Sequence, residues 1–195
     1  GGACRGGGGR GWGGGGGGGR GVGYEGIRVL RGQRLQLLRS GIKLDAGGIA
    51  KGFAVDAMTE VLLARGIQSS LVDGGGDIRV TESPPEATGW AVEVQQPDSL
   101  GHPQSVMLPL THCAIATSGD RYRYLSWEGQ RYSHIIDPRT GLGVQHGAQV
   151  TVLGPDCATA DALASAFSVM GPDADWGELL RAYPDFEGWM VRKPE

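Results

Sequence analysis

Asp45, Gly47, Gly48 and Lys51 place a carboxylate, two bare backbone positions and an ammonium group in one stretch, Asp-Ala-Gly-Gly-Ile-Ala-Lys-Gly over 45–52. An apolar pattern of helical spacing begins at the same point. Without Cβ atoms the two glycines let the backbone turn sharply and approach a ligand closely. The helix that follows aims its first N–H groups and the positive end of its dipole at that place, which favours a phosphate. Lys51 adds a mobile positive charge one turn in. Taken alone, a Gly-Gly turn before a helix is usually plain structure. It gains weight from Asp73-Gly74-Gly75-Gly76-Asp77, from Ser133-His134-Ile135-Ile136-Asp137-Pro138-Arg139-Thr140-Gly141 and from Ala160-Asp161-Ala162-Leu163-Ala164-Ser165.

Asp161 and Ser165 are four residues apart in a helical pattern, so their side chains share one face, one turn apart. A carboxylate and a hydroxyl oxygen presented together suit a hard cation such as Mg²⁺, which takes few protein oxygens and leaves positions for phosphate. An isolated Asp-x-x-x-Ser reads first as a surface aspartate and a serine bonding back to its own helix. Here the face also carries Ala and Leu, so Asp161 sits beside the core, where a carboxylate needs a partner. His134 is the candidate proton carrier near neutral pH. A lone histidine in a strand is more often structural, and His102, His112 and His146 lack a comparable context. In a strand, His134 and Ile136 would face one side, Ile135 and Asp137 the other. The segments 73–77 and 137–141 are turns first of all; Thr117-Ser118-Gly119-Asp120 has turn chemistry with two hydroxyls.

The elements that must hold these residues follow from periodicity and punctuation. Short apolar runs at 35–38 and 42–44, separated by Ser40-Gly41, predict a hairpin. Ile49, Phe53, Ala57 and Val61 recur every four residues, predicting a helix of about four turns with that apolar face, ended by Gly66. Strands are expected at 69–72, 78–80, 90–94, 105–110, 113–117, 122–127, 130–136, 148–153 and 188–191, with a hairpin turn at Trp127-Glu128-Gly129-Gln130. A second amphipathic helix follows Pro155-Asp156 and stops at Gly171-Pro172, and a third is expected near 175–183. Adjacent strand pairs outnumber helices, so the fold class is α+β: a largely antiparallel sheet packed with two or three helices.

Composition narrows the function classes. The chain has 195 residues and a formal charge of −3, so its body offers no basic surface for nucleic acid. Cys4, Cys113 and Cys157 are far apart, which argues against a disulfide framework or a cysteine-rich zinc site. No apolar run approaches the ~18 residues of a bilayer span, and no export signal is visible. Residues 1–26 hold 17 glycines and are expected to be a disordered tail, leaving one domain over 27–195. Arg5-Gly-Gly and Trp12 give the tail a faint likeness to an RNA-binding Arg-Gly box.

From about Val22 to Met170, five segments in order resemble the ApbE-type FAD:protein FMN transferases. They are Leu44–Asp56 (Leu-Asp-Ala-Gly-Gly-Ile-Ala-Lys-Gly-Phe-Ala-Val-Asp), Gly75-Gly76-Asp77-Ile78, Ala116-Thr117-Ser118-Gly119-Asp120, His134-Ile135-Ile136-Asp137-Pro138 and Ala160-Asp161-Ala162-Leu163-Ala164. The resemblance implies a transferase that splits FAD at its pyrophosphate, joins FMN through a phosphoester to a threonine of an acceptor protein and releases AMP. It implies that Asp45, Lys51, His134 and Ile135 contact the cofactor. It further implies that the Gly48 carbonyl, Asp161 and Ser165 hold Mg²⁺, and that His134 activates the acceptor hydroxyl. Members usually carry Thr where this chain has Ser165. They are usually longer at the N-terminus, in a region that helps hold flavin and adenosine, where this chain has its glycine tract. By analogy, the resemblance implies a protein that is exported or membrane-associated. Two other readings stand beside this one: a non-catalytic flavin- or nucleotide-binding remnant of the fold, and a Gly-rich nucleic-acid-binding protein.

Overall fold

The structure, a computed structural model, describes residues 23–32, 34–119 and 124–192. Most of the glycine-rich stretch, Asp120 and the start of the strand expected over 122–127 lie outside the described residues. The chain divides into two compact units, one with residues up to Lys43 together with Pro138–Thr140, the other with Leu44–Asp137 and Gly141–Glu195.

In the first unit, strands β1 (Ile27–Leu30) and β2 (Arg34–Leu37) form an antiparallel hairpin with Ile27 opposite Leu37. The expected pairing of 35–38 with 42–44 is therefore wrong. Gly32, at a φ of 74°, provides the left-handed turn residue that folds β2 back onto the preceding segment, and 42–44 forms no strand.

The second unit has three layers. Its centre is an antiparallel five-stranded sheet in the order β13-β12-β7-β4-β3. The strands are β3 (Leu71–Asp73), β4 (Ile78–Val80), β7 (Cys113–Gly119), β12 (Gln149–Gly154) and β13 (Glu187–Val191). Side chains alternate across it. Ala116, Val150 and Val152 pack against Ala160, Leu163, Ala164 and Phe167 of helix α2 (Cys157–Met170). Ile115 and Val80 pack the other way, onto Val92, Val94 and Leu110 of the hairpin β5 (Trp90–Pro97) and β6 (Pro103–Leu110). Phe167 also stacks on Trp176, with ring centroids 4.4 Å apart. Trp176 precedes a third helix, α3 (Gly177–Arg181), shorter than the sequence predicts.

Helix α1 (Ala50–Ala64) lies against α2 and the β3–β4 end of the sheet. Its orientation reverses the expectation: Ile49, Phe53, Ala57 and Val61 are exposed, whereas Gly52, Val55 and Thr59 are buried. Close approach decides this. A Cβ on Gly52 would stand 2.2 Å from the Cys157 carbonyl oxygen, so α1 turns its smallest residue toward α2. The turn at 127–130 joins β8 (Tyr124–Trp127) to β9 (Gln130–Ser133) as expected, with Glu128 and Gly129 at φ 48° and 76°. The strand expected over 130–136 is broken. The Ser133 hydroxyl accepts the Ile135 N–H at 3.1 Å and bends the chain, so β10 is only Ile136–Asp137, paired with β11 (Leu142–Gly143). Strict alternation across His134–Asp137 therefore does not hold.

Candidate functional site

The second turn of α1 and the start of α2 are locked together before any candidate group is placed. Both oxygens of Asp56, on α1, accept the first two N–H groups of α2, from Cys157 at 3.0 Å and Ala158 at 2.8 Å. Asp156 accepts the third, from Thr159 at 2.8 Å. Arg79 on β4 bridges Asp56 and Glu60, each at 3.1 Å. The orphan donors and positive dipole end of α2 thus meet two carboxylates, and α2 is held in register on α1 just before Asp161.

That register brings three charged side chains into one cluster. Asp161 is 2% exposed, and its Oδ2 accepts the N–H of Gly52 at 3.2 Å. The anion at the start of α1 in this structure is therefore the protein's own carboxylate. Lys51 Nζ lies 3.9 Å from Asp161 Oδ1 and pairs with Asp77 Oδ2. Asp77 is fully buried, and its Oδ1 has no hydrogen-bond partner. Its place is set by the glycine turn: Asp73 Oδ1 accepts the N–H groups of Gly75 and Gly76, both at 2.8 Å, and the Gly74 N–H reaches the Asp77 carbonyl. Burial pushes the Asp77 carboxyl up to about 6; Lys51 opposes this, and the Asp161 charge adds to it. Two buried carboxylates share one half-exposed ammonium, so the cluster carries an excess of acceptor oxygen and negative charge. Sequence reasoning placed Asp77 only in a turn. Its signal was position, as the aspartate that ends a triple glycine and opens a strand.

The other candidate residues divide between this cluster and separate places. Ser165 stands on the same face of α2 as Asp161; its hydroxyl is 3.2 Å from that of Ser118 on β7. A Cβ on Gly48 would come within 3.1 Å of Ser165 Oγ, so the bare backbone of Gly48 lies directly against that hydroxyl. Gly48, Lys51, Asp161 and Ser165 are thus brought together. Asp45 is exposed and closes its own turn, its Oδ1 accepting the Gly47 N–H at 2.7 Å. His134 and Ile135 lie in the bend between β9 and β10, with the His134 side chain exposed. Cys157 is buried and its thiol is pushed well up, chiefly by burial, so it is no nucleophile.

The donor set fits a small hard cation. Among the described residues no three carboxylate, imidazole or thiolate side chains gather as a chelating group. A cation here must draw on hydroxyl and carbonyl oxygens beside the carboxylates, which is oxygen chemistry suited to Mg²⁺. The unpartnered Asp77 oxygen and the uncompensated charge are what such an ion would offset.

The model of the ApbE family matches residues 19–188. The FAD:protein FMN transferase of Treponema pallidum (strain Nichols) is 33% identical over 175 residues, covering 85% of this chain and 48% of the relative. The FAD:protein FMN transferase of Vibrio cholerae is 37% identical over 131 residues, covering 67% of this chain and 39% of the relative. Among solved structures, the apo flavinyl transferase ApbE of Pseudomonas stutzeri superposes with a TM-score of 0.73 at 29% identity, over 89% of this chain and 52% of that one. The chain thus spans about half the length of these relatives. The family model covers most of the chain, and this chain belongs to the ApbE family.

Proposed function

We propose that the chain carries the metal and phosphate site of an FAD:protein FMN transferase. The observation that supports this most is the cluster of Lys51, Asp77 and Asp161 against Gly48 and Ser165, where one ammonium serves two buried carboxylates. Gly48, Asp161 and Ser165 would hold Mg²⁺, which when bound neutralises pyrophosphate charge. Lys51, anchored by Asp77 and half exposed, reaches toward the phosphates, and Asp45 and Ile135 contact the cofactor. In the transfer, the acceptor threonine Oγ attacks the FMN-side phosphorus and the bond to the AMP oxygen breaks. The hydroxyl proton passes to His134, which is exposed and so accessible to a protein acceptor. A threonine hydroxyl is almost wholly protonated near neutral pH, so the base is needed as well as charge neutralisation.

The test is incubation of the chain with FAD, Mg²⁺ and a threonine-bearing acceptor peptide, following AMP by chromatography and peptide mass by spectrometry. Equimolar AMP and an FMN adduct on threonine are expected. Tight FAD binding with neither product would reduce the chain to a flavin-binding module.

A further inference from the structure

The formal charge of −3 conceals a division by sign along the chain. Residues 1–43 hold seven arginines and one lysine against a single acid, Glu25, whereas residues 44–195 hold ten basic and 20 acidic side chains. Such asymmetry points to a partner of opposite sign for the basic part. Five of its cations, Arg28, Arg31, Arg34, Arg39 and Lys43, lie in or beside the β1–β2 hairpin, and all five are exposed. Among the described residues none of the five forms an ion pair.

The hairpin is also two-sided. Ile27 stands opposite Leu37 and Val29 opposite Leu35, which puts four aliphatic side chains on one side of the ribbon. Arg28, opposite Gln36, and Arg34, opposite Leu30, project from the other side. Arg31 stands at the turn, next to Gly32. The aliphatic side is left uncovered: Val29 is 78% and Leu35 54% exposed. Contiguous apolar surface rimmed by charge marks an interaction site.

The residue types on the two strands choose the occupant. Neither strand carries an aromatic side chain, so the ribbon offers nothing on which a nucleic-acid base could stack. Aliphatic side chains beside unpaired arginines suit the boundary of a bilayer, where the first enter the acyl region and the second meet lipid phosphates. The arginines on the outer side stay within reach of that surface. Their long stems bend back toward the headgroups, and a charged surface is felt over a Debye length of ~8 Å. Tyr24, exposed just before β1, is the kind of side chain that settles at headgroup level. We propose that the β1–β2 hairpin docks this protein on an anionic lipid surface, aliphatic side down, as a peripheral contact. Arg5, Arg10 and Arg20 add charge of the same sign on its N-terminal side.

The experiment sediments the full chain with vesicles of phosphatidylglycerol and, separately, of phosphatidylcholine, at low and high salt. Two variants are compared with it, Arg28→Gln/Arg31→Gln/Arg34→Gln and Val29→Ser/Leu35→Ser, with circular dichroism as a check of folding. The unaltered chain should bind phosphatidylglycerol vesicles, more weakly as salt rises, and should leave phosphatidylcholine vesicles largely unbound. Each arginine near an anionic surface strengthens binding about fivefold, so the triple variant should bind about a hundredfold less tightly. The serine pair should lose about tenfold or more; if it fails to fold, the arginine variant decides. No binding to phosphatidylglycerol, equal binding to both lipids, or a folded triple variant that binds as before overturns the proposal. Single-stranded RNA bound more tightly than phosphatidylglycerol vesicles, with no effect of the serine pair, overturns it in favour of a nucleic-acid site. A dimer that the serine pair dissociates overturns it in favour of a second copy on the aliphatic side.

Discussion

Asp77 shows how one carboxyl can be unfavourable for the free protein and useful to its site. Its folded value of about 6 lies above the ordinary 3.8, so the fold favours the neutral acid. The stabilisation from that group is complete below pH 3.8 and is lost as pH rises through about 6. In the metal-free chain, Asp77→Asn should therefore gain stability relative to the unaltered chain as pH rises from 4 to 7.5, by on the order of 2 kcal/mol. Urea unfolding at the two pH values checks this, and a constant difference would contradict it. His134 belongs to the same scale. A general base supplies about 10²–10⁴-fold in rate, so His134→Ala should slow transfer by roughly that factor while FAD binding persists. Equal turnover would remove it from the mechanism.

At the scale of elements, the site depends on how α1 and α2 meet. Gly52 lets the helices approach, and Asp56 fastens the start of α2. Gly52→Ala puts a methyl group into the Cys157 carbonyl and must push the helices apart, although alanine is the better helix former. The expected cost is about 1–3 kcal/mol in thermal or urea unfolding, with a loss of Mg²⁺ affinity because Asp161 moves with α2. A stabilised variant would contradict this packing. The spacing of Asp161 and Ser165 was legible because i,i+4 geometry is local. Which side of α1 is buried was not. Ile49, Phe53 and Val61 mark an apolar face, but the steric demand at Cys157, more than 100 residues away in sequence, selects the small-residue face instead. The β1–β2 pairing was missed for a related reason: two glycine turns, at Gly32 and Gly41, offer the same signal, and tertiary pairing chooses between them. The break after Ser133 depends on one hydroxyl reaching a backbone N–H, which alternation alone does not reveal.

At the largest scale, the second unit is organised around an antiparallel sheet with helices on one face and a hairpin on the other. Its class was legible from hairpins between strands adjacent in sequence, such as β3–β4 and β5–β6, whereas the β12–β7 and β7–β4 pairings that complete the sheet join strands distant in sequence. The tail composition carries its own expectation: with 17 glycines in residues 1–26, deleting residues 1–21 should leave the melting temperature nearly unchanged, and a large drop would show that the tail packs on the domain. Among the described residues no helix is long and apolar enough to cross a membrane. The proposed site centres on Asp161, the buried carboxylate where α1, α2 and Lys51 converge. The most direct measurement is FAD binding with and without Mg²⁺, for the unaltered chain and for Asp161→Ala. Mg²⁺ should tighten binding in the unaltered chain and have no effect in the variant, while Ser165→Thr keeps the metal response. A metal response that survives in a folded Asp161→Ala would contradict it.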